Sequence, residues 1–196
     1  MKVFKLTDPD MKTHNGFRWK IGVPRKASGK GELCGPGWLH CYLDPVLGVL
    51  MNPNHANIQN PRLFEAEGEG KEKHDPLKSG FTRMTLVREI PLPDVTIVQK
   101  VRFAILCAKE VCADPKWVAW ADRWLSGEDR SAAAAFAAAA VSAASAAAYA
   151  AAFAAATFTD ASDASAAPAV SAASAFSAGK DINFVALAHR AVEEES

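Results

Sequence analysis

Before residue 93 the chain alternates apolar and polar residues in short runs. Phe17, Trp19 and Ile21 fall on one side of an extended segment, with Arg18 and Lys20 on the other. Val3 to Leu6, Trp38 to Tyr42, Leu63 to Glu67 and Met84 to Ile90 read the same way, so this half is expected to be built on strands. Asp44-Pro45 is an N-cap and N1 pair, opening a short helix through Val46, Leu47, Val49 and Leu50 that should stop before Pro53. The stretch Gly68 to Gly80 carries Glu69, Lys71, Glu72, Lys73 and His74 and reads as a solvated hairpin loop.

Past Pro93 the period becomes helical. Thr96 and Gln99 form a capping box, and Ile97, Val101, Ala104, Ile105, Ala108 and Val111 then share one helical face ending near Cys112. Asp114-Pro115 starts another helix with Trp117, Ala121, Trp124 and Leu125 as its buried stripe, and Ser126-Gly127 stops it. Trp117 and Trp124 lie on one face and are expected to dock the helical half against the sheet. The expected fold is α+β: a small, mostly antiparallel sheet module over 1–93, followed by an all-helical region over 94–196.

From Ser131 to Phe158 there is no charge, glycine or proline, and 28 of the 48 residues from 131 to 178 are alanine. Propensity alone predicts a single helix over 131–158, about 42 Å long. Its bulky residues form no single stripe, so it should be packed on all sides, within the chain or between copies. Asp160 to Ser165 should break it, a second Ala-rich helix should cover 168–178 and end at Gly179, and Asp181 should cap a last amphipathic helix. Alanine and serine gain little from lipid, so no membrane association is expected.

The 22 basic and 22 acidic residues cancel, which removes the usual whole-protein argument for nucleic acid. The halves differ, however: residues 1–130 hold 20 basic and 16 acidic side chains, and 131–196 hold 2 and 6. The N-terminal MKVFKLTDPD turns polar quickly, so no secretory signal is expected. The four cysteines fit a reducing cytoplasm at least as well as an oxidising compartment, and Cys107 and Cys112 lie five apart in a helical pattern, poorly placed to bridge each other.

Chemistry-bearing motifs are sparse. The chain has no phosphate-binding glycine loop, no nucleophile elbow, no H-E-x-x-H and no C-x-x-C pair. No catalytic residue and no cofactor is therefore assigned. The densest reactive cluster is Cys34 to Tyr42 with His55 downstream, whose spacings lack a paired zinc knuckle, so no metal is assigned either. On a strand, Trp38, His40 and Tyr42 share one face while Leu39, Cys41 and Leu43 share the other. If the strand bearing Arg18 and Lys20 lay beside it, cations and rings would together suit an anionic, planar, nucleotide-like ligand. Arg18, Lys20, Trp38, His40 and Tyr42 are thus the candidate ligand-binding residues.

The string GELCGPGWLHCYLDPVLGVLMNPNHANI, continued by PRLFEAEGEG, resembles the N-terminal domain of unknown function of small phage and bacterial proteins. ILCAKEV, WVAWADRWLSGEDRS and the Ala-rich run ending in DINFVALA are similar to the tail that often follows it. The resemblance names a domain of unknown function and carries over no catalytic residue. A weaker similarity, to ADP-ribosyltransferase-like folds, would enlist His40, Tyr42 and Glu65 or Glu67 around NAD. Two functions are expected from these readings. One is a non-catalytic phage-type accessory or counter-defence protein, a homo-oligomer binding a nucleotide-like ligand or a host protein. The other is an NAD-using transferase.

Overall fold

A computed structural model describes residues 1–141, 145–157 and 167–193. The chain is α+β and divides into two compact units, Met1–Asp94 and Val95–Ser196.

In the first unit the long strands are β1 (Lys2–Thr7), β6 (Arg62–His74) and β7 (Ser79–Ile90). Four short ones, β2 (Lys12–Thr13), β3 (Phe17–Arg18), β4 (Arg25–Lys26) and β5 (Leu39–Cys41), accompany them. The main sheet runs β1-β6-β7-β4 with β5 also on β7, and all its pairings are antiparallel. Two backbone hydrogen bonds between Phe4 and Tyr42, of 2.8 and 2.9 Å, then join β1 to the end of β5 and close the strand path on itself. Val3, Trp19, Leu39, Cys41, Phe64, Ala66, Phe81, Met84 and Leu86 form one buried cluster of this unit. Gly68 leaves room for it, because a Cβ there would lie 2.7 Å from the Phe81 ring.

Two local expectations change. The charged stretch after Gly68 is no loop but the outer part of the β6–β7 hairpin. Cross-strand pairs such as Arg83–Glu69 at 3.1 Å hold it where no apolar face is needed. The turn itself is Asp75 to Lys78, where Asp75 Oδ1 accepts from the N–H groups of Leu77 and Lys78, both at 2.8 Å. The first helix, α1 (Pro45–His55), runs through Pro53 instead of stopping before it. Pro53 lies in the last turn, where little ladder remains to lose. Asn52 secures that end by donating to Ile58 O and accepting from Ile58 N.

The second unit is helical: α2 (Ile97–Lys109), α3 (Pro115–Ser126), α4 (Ala132–Val141), α5 (Ala146–Thr157), α6 (Ala167–Ser177) and α7 (Phe184–Glu193). The Thr96–Gln99 capping box forms, and Asp114 caps α3 while Gly127 ends it in the left-handed region at φ 80°. The first helix of the unit is central. It packs against α3, α5, α6 and α7, so it is buried all round from Val101 to Ala108. Next to it, α5 lies between α4 and α6.

The single helix expected over 131–158 is instead two. Ser145 is not helical, and its Oγ accepts from Ala148 N at 3.3 Å, the geometry of an N-cap. A 42 Å helix could bury only one side against neighbours this short, whereas two shorter ones pack on each other. Phe158 and the expected break from Asp160 to Ser165 lie outside the described residues. The second Ala-rich helix starts at Ala167, one residue before the expected start, and ends at Ser177 ahead of Gly179 (φ 72°). The last helix is capped by Asn183 rather than Asp181, through Ala186 N to Asn183 Oδ1 at 3.0 Å. Trp117 donates from its indole to Ala148 O of α5 at 3.1 Å.

Candidate functional site

Alternation along β5 places the candidate side chains as expected, but both faces of that strand are covered. Leu39 and Cys41 enter the core, while Trp38 and Tyr42 on the other side are also buried. The glycine-bearing loop 29–37 supplies the cover. Trp38 donates from its indole to Gly31 O at 3.1 Å, and the His40 ring is hydrogen-bonded to Leu33 O, so its Nε2 carries the proton. Lys73 Nζ sits 5.7 Å from the Trp38 ring centre.

Tyr42 is held by the last residue of α1. Its ring stacks on His55 at 5.9 Å and 9°, and its hydroxyl lies 3.3 Å from His55 Nδ1. The hydroxyl and the imidazole share this hydrogen bond. Burial, aided by the nearby Lys78 cation, depresses the His55 pKa to about 4, and burial likewise lowers that of His40. Asp75 opposes the shift in both and does not overcome it. Both histidines are therefore neutral at pH 7.

This arrangement makes the first unit acid-sensitive. The folded pKa of His55 lies below its unfolded value near 6.5, so its stabilising contribution is complete above pH 6.5. It is lost as pH falls toward 4. Urea denaturation should show up to about 2 kcal/mol less stability at pH 5 than at pH 7, and His55→Gln should flatten that slope. An unchanged slope in the variant would assign the acid sensitivity to other groups.

Arg18 and Lys20 do not join this cluster. The strand bearing Arg18 pairs with β2 in a separate two-stranded ribbon, and both side chains are exposed. Only Trp19 between them turns inward, its indole donating to Thr13 Oγ1 at 3.0 Å. The cation that does approach β5 is Lys5. Its ammonium donates to His40 O at 2.6 Å and lies 5.2 Å from the Trp19 ring centre. Burial lowers its pKa to about 8. Period-two alternation from Val3 carried that signal, since it puts Lys5 on the inward face of β1.

The residues enlisted by the transferase resemblance are also tied up in the fold. Glu65 is ion-paired with Lys2 and with Arg88, the latter at 2.5 Å, while His40 and Tyr42 hold Leu33 and His55. Cys34 is exposed and the other three cysteines are buried, all as free thiols. Among the described residues no group of three His, Cys, Asp or Glu side chains is placed to hold a metal, and no helix is long and apolar enough to cross a membrane. A cavity of about 300 Å³ lies along β1 and β6, lined by Lys2, Glu65, Glu67, Glu69 and Val87 among others. Two of its glutamates are already paired, Glu65 with Lys2 and Arg88, Glu69 with Arg83.

The first unit is thus a small closed antiparallel sheet with one helix, its conspicuous polar side chains engaged in holding loops and turns. The family model for a domain of unknown function, DUF7666, matches residues 1–98, half of the chain, and the protein belongs to that family. No curated protein and no solved structure matches it significantly.

Proposed function

We propose that the protein is a non-catalytic, phage-type accessory or counter-defence protein of the cytoplasm that works as a homo-oligomer. Its helical unit associates with a second copy, and its α+β unit presents the surface for an anionic, nucleotide-like ligand or a host protein. The observation that carries the assembly part is the exposed face of the Ala-rich helices. Tyr149 (49% exposed) and Phe153 (41% exposed) stack on each other along α5, and Phe136 on α4 and Val170 and Phe176 on α6 are exposed as well. No charged residue occurs in α4, α5 or α6.

An apolar patch of this kind marks an interaction surface. A face without charge has nothing with which to orient a charged partner, whereas two identical faces can cover each other about a two-fold axis. Three helices of 10 to 12 residues give a face of roughly 450 Å², taking about 1.5 Å per residue and about 9 Å between axes. That is less than the roughly 800 Å² per partner of a standard interface, so the dimer should be concentration-dependent.

Sedimentation equilibrium over roughly 1 to 100 µM should show the mass rising toward twice 20.9 kDa. Phe153→Lys and Tyr149→Glu should each hold the protein monomeric without lowering its melting temperature, because both positions are exposed. A monomeric wild type, or variants that still dimerise, would overturn the assembly. The transferase reading gains no such observation, since Glu65 lines the cavity along β1 and β6 and neither His40 nor Tyr42 does.

A further inference from the structure

We propose that the β2–β3 ribbon and the adjoining β4 edge form a binding surface for single-stranded nucleic acid. From Met11 to Gly31 the chain has Lys12, Arg18, Lys20, Arg25, Lys26 and Lys30 and no acidic residue. The neutral total therefore conceals a segregated positive region, and phosphate binding depends on local charge rather than on the sum.

Strand register sharpens the point. Lys12 lies directly opposite Arg18 across the ribbon, and Lys26 directly opposite Arg83 across β4 and β7. Like charges in such positions destabilise a sheet. One member of each pair has a carboxylate: Lys12 binds Asp10 at 2.9 Å and Arg83 binds Glu69 at 3.1 Å. Arg18 and Lys26 are in no salt bridge among the described residues. Arg18 shares the field of the Asp10 carboxylate without touching it, so two cations without a carboxylate in direct contact stand in electrostatically costly positions, where an external anion would relieve the repulsion.

Aromatic chemistry at the same place selects the anion. The Arg25 guanidinium lies 5.6 Å from the centre of the Phe17 ring, and its Nε is buried with no hydrogen-bond partner. Phe17 itself remains 39% exposed, beside the edge of Trp19. A planar cation resting on a ring is a platform on which an unpaired base stacks while a phosphate meets the remaining N–H groups. Lys12, Arg18, Arg25 and Lys26 lie on neighbouring strands, β2, β3 and β4, and such a spread of cations suits a continuous strand better than a mononucleotide. An anionic membrane would need more insertable apolar area than Phe17 and Ile21 provide.

The test is fluorescence anisotropy of the full chain with labelled 20-mers of oligo-dT and oligo-rU. Binding should weaken by roughly tenfold or more between 50 and 200 mM NaCl, as expected for three or more phosphate contacts. Arg18→Ala and Lys26→Ala should each weaken binding severalfold and reduce the salt slope, at a melting temperature no lower than that of the wild type, because each removes a like-charge pair. Phe17→Leu should weaken binding while leaving the slope intact, and Arg25→Lys should behave like Phe17→Leu because charge survives and stacking does not. If Phe17→Leu unfolds the protein, Arg25→Lys still reads the stacking.

Absence of binding to both oligomers, or equal affinity for wild type and the Arg18 and Lys26 variants, would overturn the proposal. So would equal affinity for inorganic polyphosphate of matched length, or binding only to vesicles containing phosphatidylserine. Phe153→Lys should bind a 10-mer as wild type does, so failure of the assembly reading and failure of this one are separable.

Discussion

Trp117→Ala is expected to cost about 3 to 5 kcal/mol and to lower the melting temperature of the helical unit by roughly 15 °C or more. Trp117 is fully buried, packs edge-on against Trp120 at 5.5 Å, and donates its indole N–H to the backbone of α5. The alanines around it have no side-chain length with which to collapse into the space left behind, so the cavity should persist. Trp117→Phe separates the contributions: it keeps most of the volume, loses only the hydrogen bond, and should cost on the order of 1 kcal/mol. Thermal and urea unfolding of both variants, followed by helical circular dichroism, would check this. A near-neutral alanine variant would mean that the Ala-rich helices repack freely around α3.

Signals confined to a few neighbouring residues were legible in the sequence. Asp44, the Thr96–Gln99 box, Asp114 and Gly127 all cap the helices they announce, because a cap is decided within one turn. The strands were legible where one face is buried, as in β7, where Met84 and Leu86 are buried and Arg83 and Val87 exposed. The outer β6–β7 hairpin was missed because its residues are charged on both faces and its order comes from cross-strand pairing. Ser145 was missed for the opposite reason: every residue around it is a good helix former, so propensity had no contrast to register. What breaks the run is packing, which brings α4 and α5 side by side.

The candidate site was half legible for a related reason. Alternation put Trp38, His40 and Tyr42 on one face, but spacing carries no record of what covers a face. Loop 29–37 closes over that side of the strand and α1 returns His55 to Tyr42, contacts made by chain reversals that the alternation within one strand does not encode. The adjacency imagined for Arg18 failed on topology, since β5 finds its partners in β7 and β1. Separated from that strand, the cations of 12–30 keep their own arrangement, and it is there that charge and an exposed ring coincide.

Gly37→Ala is expected to be the most damaging single-methyl change in the first unit. A Cβ at Gly37 would lie 2.0 Å from the carbonyl oxygen of Lys30, an overlap that no rotamer change relieves because the obstacle is backbone. The two segments are also pinned together, with Gly29 N donating to Gly37 O at 2.8 Å. Relief therefore means pulling the loop away from β5. That would strain the bonds of Trp38 to Gly31 and of His40 to Leu33, and expose part of the face they cover. The cost should reach the upper end of the range for overpacking, about 3 kcal/mol. Gly35→Ala is the control: its Cβ would lie 3.1 Å from Glu32 O, a contact that a few tenths of an ångström relieve, and it should cost under about 1 kcal/mol. Urea unfolding followed by tryptophan fluorescence reads both, because Trp38 reports on the loop directly. Equal stability of the two variants would show that loop 29–37 can lift from the strand at little cost, leaving His40 and Tyr42 accessible after all.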